Sequence, residues 1–176
     1  MAILAAAMLS RAASGAFEWL YPLRFVAAVG ILWYFRRSYA TINWRFGWAA
    51  ALIGVVVFAF WIGLDGLAET ATTSPIPTGL AAMPPVARIM WLAFRILAAV
   101  VTVPIAEELA FRGFLVSSIA FGLMHGDRWI AGSIAGLLYA GAQKWRGRIG
   151  DAVAAHGITN ALVALWVVAG GHWSFW

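Results

Sequence analysis

Six residues of types that do chemistry lie in or beside apolar stretches in the second half of the chain. They are Glu107, Glu108, Arg112, His125, His156 and Asn160. Ionisable groups are costly in lipid and, where they occur in membrane segments, usually mark functional sites. Taken singly, each has a simpler explanation as a structural ion pair or a satisfied core histidine. Their combination makes them the candidate site residues.

The first motif combines two adjacent acids with a base. On a helix, Arg112 lies four residues after Glu108, on the same face and within ion-pair reach, whereas Glu107 is turned about 100° away. We therefore expect Glu108 to be held and Glu107 to be free. Pro104 has no backbone N–H to donate, which predicts a kink just before the acids where water can enter.

The other two motifs each place a histidine four residues from a partner. Phe121 precedes His125 by one turn, so its ring can pack on the imidazole and fix its rotamer. His156 precedes Asn160 by the same interval, so the two side chains point the same way. Two neighbouring donors of this kind can stabilise an oxyanion.

The composition indicates an integral membrane protein. Of 176 residues, 64% are hydrophobic and 11% charged, with a mean hydropathy of +0.87, against about 45–50% apolar and about 25% charged in soluble domains. The chain has no cysteine, which excludes disulfides, thiolate-bound zinc and a cysteine nucleophile. The net charge of +5 comes in short basic groups between apolar runs, so we expect contacts with membrane lipids and no nucleic acid.

The apolar runs predict an all-α polytopic transmembrane bundle of about six helices in a single domain over residues 1–176. The motif-bearing core is expected at residues 86–170. Two runs are short for complete crossings, which predicts short or tilted helices there. Small residues at Gly132, Gly136 and Ala140 share one face and predict close helix packing. The six runs cover residues 17–35, 47–64, 86–110, 114–124, 129–142 and 152–169.

Basic residues predict the orientation of the chain in the membrane. One basic group lies between the first two runs and another between the last two, whereas residues 65–85 hold no basic residue. By the positive-inside rule both basic loops are cytoplasmic. Two further arginines, Arg24 and Arg95, lie within apolar runs and are expected to snorkel or to pair with a neighbour such as Glu18.

The motifs together resemble the CAAX-protease and bacteriocin-processing family of membrane glutamic peptidases, related to the type II CAAX prenyl endopeptidases. The likeness covers about residues 101–164 and is strongest in Glu-Glu-Leu-Ala-Phe-Arg-Gly-Phe at residues 107–114. Less closely, residues 21–24 and 33–37 resemble the CAAX-protease-related proteins that accompany bacterial exosortase systems.

The chain departs from the family in the length of one connection. Only nine residues separate Arg112 from Phe121, which is shorter than is usual there. A straight helix from Glu107 to His125 would hold them about 27 Å apart, so a break is needed. Gly113 is the nearest candidate for it.

The resemblance implies a role for each candidate residue. Glu107 would be the general base that activates water, helped by His125, while His156 and Asn160 would stabilise the oxyanion. Glu108 and Arg112 would hold the site together. The substrate would be a membrane-anchored peptide or protein, and the subgroup resemblance makes proteins of an exosortase system candidates. No cofactor or metal is implied.

Three alternatives stay open at this point. Two glutamates and two histidines could in principle bind zinc, although the sequence has no His-Glu-x-x-His motif. The chain could be a catalytically silent binding or immunity scaffold of the same fold. It could also be a proton-coupled transporter in which Glu, Arg and His form a relay.

Overall fold

The computed structural model describes residues 17–65, 74–110 and 115–176. These residues form helices and no strand, which confirms the predicted all-α bundle. Each of the six apolar runs contains helix, and one additional short helix, α3, lies in the proline-containing segment. The helices are α1 Tyr21–Tyr34, α2 Trp48–Asp65, α3 Ile76–Ala82, α4 Pro85–Leu97, α5 Val103–Ala110, α6 Leu115–Leu123, α7 Trp129–Arg146 and α8 Ile149–Gly170.

The helices differ widely in length. Within the described residues, two stretches, Pro85–Ala110 and Ile149–Gly170, are long and apolar enough to cross a membrane. The nine residues of α6 reach only about 13 Å at 1.5 Å per residue, too short to cross alone. Helix α7 extends four residues beyond the predicted end at residue 142, because Lys144 and Arg146 are good helix formers. It is terminated by Gly147, which has a positive φ of 65°.

A π-helical turn at Ala98–Thr102 joins α4 to α5. It lies directly before Pro104, where a distortion was predicted, and lets the helix continue past a residue that has no N–H to donate. The carbonyl of Ala99 accepts a hydrogen bond from the side chain of Asn160 on α8 at 2.7 Å. The distorted turn is therefore tied to the helix that carries the second histidine motif.

Helices α6 and α7 form a tightly packed pair. A Cβ placed on Gly132 would lie 2.9 Å from Gly122 Cα, and one on Gly136 would lie 3.1 Å from the Phe121 ring. Both glycines are buried, which confirms the close packing predicted from the small residues. This contact places Phe121 and His125 against α7, and α7 in turn packs with α2 and α8 around a common core.

The two basic loops meet at one end of the bundle. Asp151, at the start of α8, accepts hydrogen bonds from Gly47 N at 2.9 Å and from Arg148 Nε at 2.8 Å. Gly150 N donates to Asn43 O at 3.2 Å. The α1–α2 loop and the α7–α8 turn therefore lie on the same side, as the positive-inside rule requires, and their cytoplasmic location stays a prediction.

Candidate active site

His156 lies between the two adjacent glutamates. Its Nδ1 is 3.0 Å from Glu108 Oε1, and its Nε2 is 3.8 Å from Glu107 Oε2. His156 and Glu108 are almost fully buried, with 4% and 6% of their surfaces exposed. Helices α5 and α8 thus bring together the first and third sequence motifs in one carboxylate–imidazole cluster.

The two glutamates lie in different environments, and Glu108 has a partner that the sequence did not suggest. Glu108 is held by His156, whereas the expected partner Arg112 lies outside the described residues, as does Gly113. The Glu107 Oε2 atom is buried and has no hydrogen-bond partner within the described part of the chain. Glu107 is therefore the acid with a carboxylate oxygen still available.

His125 is held in one tautomer by the backbone. Its Nδ1 lies 2.8 Å from the carbonyl oxygen of Phe121. A carbonyl can only accept, so Nδ1 carries the proton and Nε2 of the neutral ring presents a lone pair. The Phe121 ring also packs between the two imidazoles, with centroids 4.8 Å from His125 and 5.6 Å from His156. The predicted contact of Phe121 with His125 is confirmed.

Tyr139 completes the cluster and was not singled out from the sequence. Its ring stacks on His156 at 4.8 Å with an interplanar angle of 12°, and only 2% of its surface is exposed. Tyr139 follows Gly132 by about two turns of α7 and Gly136 by about one turn, so it shares the face already marked by small residues. Its position on that face is the feature of the sequence from which Tyr139 could have been identified.

Asn160, which was expected to stabilise an oxyanion, donates a hydrogen bond within the protein. Its Nδ2 donates to Ala99 O, which uses one of the two N–H bonds of the carboxamide. His156, likewise, directs both ring nitrogens at carboxylates. The two side chains line the same cavity, but each already has a partner in the protein.

The candidate residues line two neighbouring cavities. The larger, of about 320 Å³, is lined by His125, His156 and Asn160 together with Tyr139 and Arg95. The smaller, of about 180 Å³, is lined by Glu107 and residues of α1 and α4–α5. Tyr21 and Val103 border both cavities. Glu107 lines only the smaller of these two cavities, and its carboxylate lies 3.8 Å from Nε2 of His156, which lines the larger one.

Arg24 of α1 and Glu18, which precedes this helix, form a separate pair. Arg24 Nη2 lies 2.6 Å from Glu18 Oε2, which confirms the expectation that Arg24 pairs with Glu18.

Within the described residues, no group of three or more His, Cys, Asp or Glu side chains is arranged to hold a metal ion.

The fold and the cluster define an all-α membrane protein with a buried carboxylate–imidazole site. The family model of the type II CAAX prenyl endopeptidases, Rce1-like, matches residues 114–162. The match confirms the predicted resemblance to the CAAX proteases, and it points to a membrane-bound protease. It includes His125, His156 and Asn160 but begins after the two glutamates. Comparison with curated proteins and with solved structures found no match.

Proposed function

We propose that the chain is an intramembrane glutamic endopeptidase that hydrolyses a peptide bond in a membrane-associated or lipid-anchored tail. The observation that carries the proposal is the environment of Glu107. Its Oε2 is buried, lacks a hydrogen-bond partner in the described part of the chain, and lies 3.8 Å from His156 Nε2. An available carboxylate beside an imidazole in a membrane helix is suited to activating water.

In the proposed reaction, water sits at the boundary of the two cavities, where Glu107 and the histidines converge. Glu107 takes one proton as the water oxygen attacks the peptide carbonyl carbon. The free lone pair at His125 Nε2 accepts the second hydrogen bond of the water and orients it. Protonated Glu107 then returns its proton to the leaving amine nitrogen as the C–N bond breaks.

The negative charge that develops on the carbonyl oxygen needs donors. Glu108 lies 3.0 Å from Nδ1 of His156 and orients the ring, much as a carboxylate orients the histidine of a catalytic triad. The second N–H of Asn160, which is not bonded to Ala99, then faces the oxyanion, and His156, which lines the same cavity, supplies the neighbouring donor. Arg112 retains its predicted role of holding the glutamate pair.

The test is cleavage in liposomes with a library of membrane-anchored peptide tails. We expect hydrolysis by the wild type that persists with chelator, and that falls at least a hundredfold in Glu107→Gln, His125→Ala and His156→Ala. Asp127→Asn removes an exposed carboxylate of the same helix pair and should cleave normally. Loss of activity with chelator would instead indicate a metal enzyme.

Other outcomes would favour the competing functions. Tail binding without cleavage, equal in wild type and Glu107→Gln, would favour a silent binding or immunity scaffold. Proton-gradient-driven flux in sealed vesicles would favour a transporter. The proposed setting is the bacterial inner membrane with the basic loops cytoplasmic, and proteins of an exosortase system are candidate substrates.

A further inference from the structure

An apolar groove lies between the π-helical turn and α8, on the outside of the bundle. Its volume is about 390 Å³, and it shares no lining residue with the two cavities of the candidate site. Val101 on one wall and Ala161 on the other are exposed, so in a membrane the groove opens to the hydrocarbon of the bilayer. The walls include Val100, Val101 and Ile105 on one side and Val153, Ile158 and Ala161 on the other.

The groove is about as long as one leaflet of a bilayer is thick. On α8 its lining residues run from Gly150 to Ala161, which is about 16 Å at 1.5 Å per residue. The hydrocarbon core of a bilayer is about 30 Å thick, so one leaflet accounts for about 15 Å. An acyl chain that enters from the end of the bundle at Gly150 can therefore fill the groove within its own leaflet.

The apolar groove continues into a basic pocket where the two basic loops meet. Trp44 and Phe46 of the α1–α2 loop line the groove and also line an open pocket that contains Arg45 and Arg148. Trp44 is fixed in this position, because its Nε1 donates to Tyr39 O at 3.1 Å. Tryptophan rings in membrane proteins are enriched at the depth of the lipid headgroups. The groove and the pocket together thus have the two parts that a phospholipid needs.

Positive charge exceeds negative charge around this pocket. Asp151 is the acid that contacts the arginines, with Oδ2 at 2.8 Å from Arg148 Nε and at 3.7 Å from Arg146 Nε. Arg45 is exposed, and its guanidinium has no hydrogen bond or ion pair with any residue that the structure describes. Three guanidiniums and one carboxylate leave two positive charges. Arg148 bonds to Asp151 through Nε and Nη2, so its Nη1 is available to another acceptor.

We propose that the groove and the basic pocket together bind one anionic phospholipid, with an acyl chain along α8 and the phosphate between Arg45 and Arg148. Phosphate oxygens accept strong charge-assisted hydrogen bonds from guanidinium groups, and basic pockets between membrane helices recognise anionic headgroups. A free phosphate has no part that would fill the apolar groove. A zwitterionic headgroup adds a cation of its own beside the two arginines and fits the pocket less well.

A lipid in the groove would contact both sides of the interface that forms the candidate site. Ile105 precedes Glu107 on α5, and Gly157 directly follows His156 on α8, and both Ile105 and Gly157 line the groove. The two sides already pack closely, since a Cβ on Gly157 would lie 2.8 Å from Val100 O. Because a ligand that binds only the folded protein stabilises it, we expect the lipid to raise the temperature of unfolding.

The headgroup is tested in neutral detergent by native mass spectrometry and thermal unfolding, with phosphatidylglycerol and phosphatidylcholine of the same acyl chains. Wild type should bind phosphatidylglycerol about tenfold more tightly and gain more thermal stability from it. Arg45→Gln should weaken phosphatidylglycerol about fivefold and leave phosphatidylcholine unchanged. Arg37→Gln removes the same charge from the same loop, outside the groove and the pocket, and should bind both lipids as wild type does.

The acyl chain is tested with a second pair of variants. Ala161→Phe places a ring in the open end of the groove and should weaken both lipids at least fivefold, whereas Ala169→Phe, exposed on the same helix beyond the groove, should not. Thermal unfolding without added lipid checks that each variant is folded. Lipid binding by Ala161→Phe that equals the wild type would overturn the proposal.

Two further results would overturn it. Equal affinity for the two lipids, or equal losses in Arg45→Gln and Arg37→Gln, would reduce the interaction to general attraction by a basic surface. Tighter binding of an uncharged palmitoylated peptide, independent of Arg45, would instead make the groove a site for the anchor of a substrate. These measurements need no hydrolysis, so their outcome is independent of the proposed function.

Discussion

Adjacent residues of one helix point about 100° apart, and in α5 this divides two glutamates between two environments. Glu108 faces α8 and bonds to His156, whereas Glu107 keeps one buried oxygen without a hydrogen bond in the described part of the chain. We therefore assign the two identical side chains different roles: Glu108 positions the imidazole, and Glu107 is available for proton transfer. Loss of Glu108 should lower both stability and activity, whereas loss of Glu107 should lower activity alone.

Substitution of the two glutamates should separate these roles. Glu107→Gln removes the base and should lower cleavage by about 10²–10⁴-fold, with little change in unfolding because no hydrogen bond is lost. Glu108→Ala leaves a buried imidazole nitrogen without its partner and should lower the free energy of unfolding by about 1–3 kcal/mol, as well as activity. Thermal unfolding in detergent beside a cleavage assay measures both. Equal destabilisation by the two changes would show that Glu107 is structural.

The ring of Tyr139 is expected to matter more than its hydroxyl for the orientation of His156. Tyr139→Phe preserves the stack at 4.8 Å and should retain activity within about tenfold and near-normal stability. Tyr139→Ala opens a cavity beside the imidazole and should lower the free energy of unfolding by about 3–5 kcal/mol. The same two assays apply. Loss of activity in Tyr139→Phe without loss of stability would instead assign the hydroxyl a part in the reaction.

At the scale of elements, the α6–α7 pair determines where His125 lies. Helix α6 is short, and its end is fixed by contact with α7, whose Gly132 leaves room for the imidazole: a Cβ there would lie 3.0 Å from His125 Nδ1. The glycines of α7 therefore serve the site as well as the packing. Larger side chains at these positions must displace either the backbone of α6 or the histidine.

Gly132→Ala is expected to weaken the fold and the site together. The added methyl group meets Gly122 Cα at 2.9 Å, and overpacking of this kind costs about 1–3 kcal/mol. Gly141→Ala in the same helix has no atom within 4 Å of its Cβ and should be neutral or stabilise by up to about 1 kcal/mol. Unfolding in detergent compares the two, and a Gly132→Ala protein as stable as Gly141→Ala would refute the packing argument.

Sequence reasoning recovered the helices because apolar length and proline position are local properties. It did not predict the contact of Glu108 with His156, because His156 lies 48 residues away and meets Glu108 through tertiary packing. The bond from Asn160 to Ala99 also depends on packing, although Pro104 had indicated that a nearby carbonyl would lack its usual partner. Local sequence patterns were sufficient to identify the motifs. Which motif contacts which could be determined only from the three-dimensional structure.

At the scale of the whole molecule, the family match and the site cover different parts of the chain. The match spans residues 114–162 and contains the histidine motifs, whereas the glutamates and Arg95 belong to the preceding helix stretch. That stretch meets α8 through Asn160 and His156. The proposed function therefore depends on one interface, between Pro85–Ala110 and α8, more than on either part alone.

The same bundle predicts which ends face the cytoplasm. The loop around Ser38 and the end of α7 at Lys144 should lie on one side, because Asp151 and Gly150 join their loops and both carry basic residues. Thr78 on α3 follows one further crossing and should lie on the opposite side. The chain has no cysteine, so Ser38→Cys, Lys144→Cys and Thr78→Cys can each be labelled uniquely in intact cells with an impermeant thiol reagent. We expect labelling from outside at position 78 alone, and labelling at position 38 or 144 would refute the orientation.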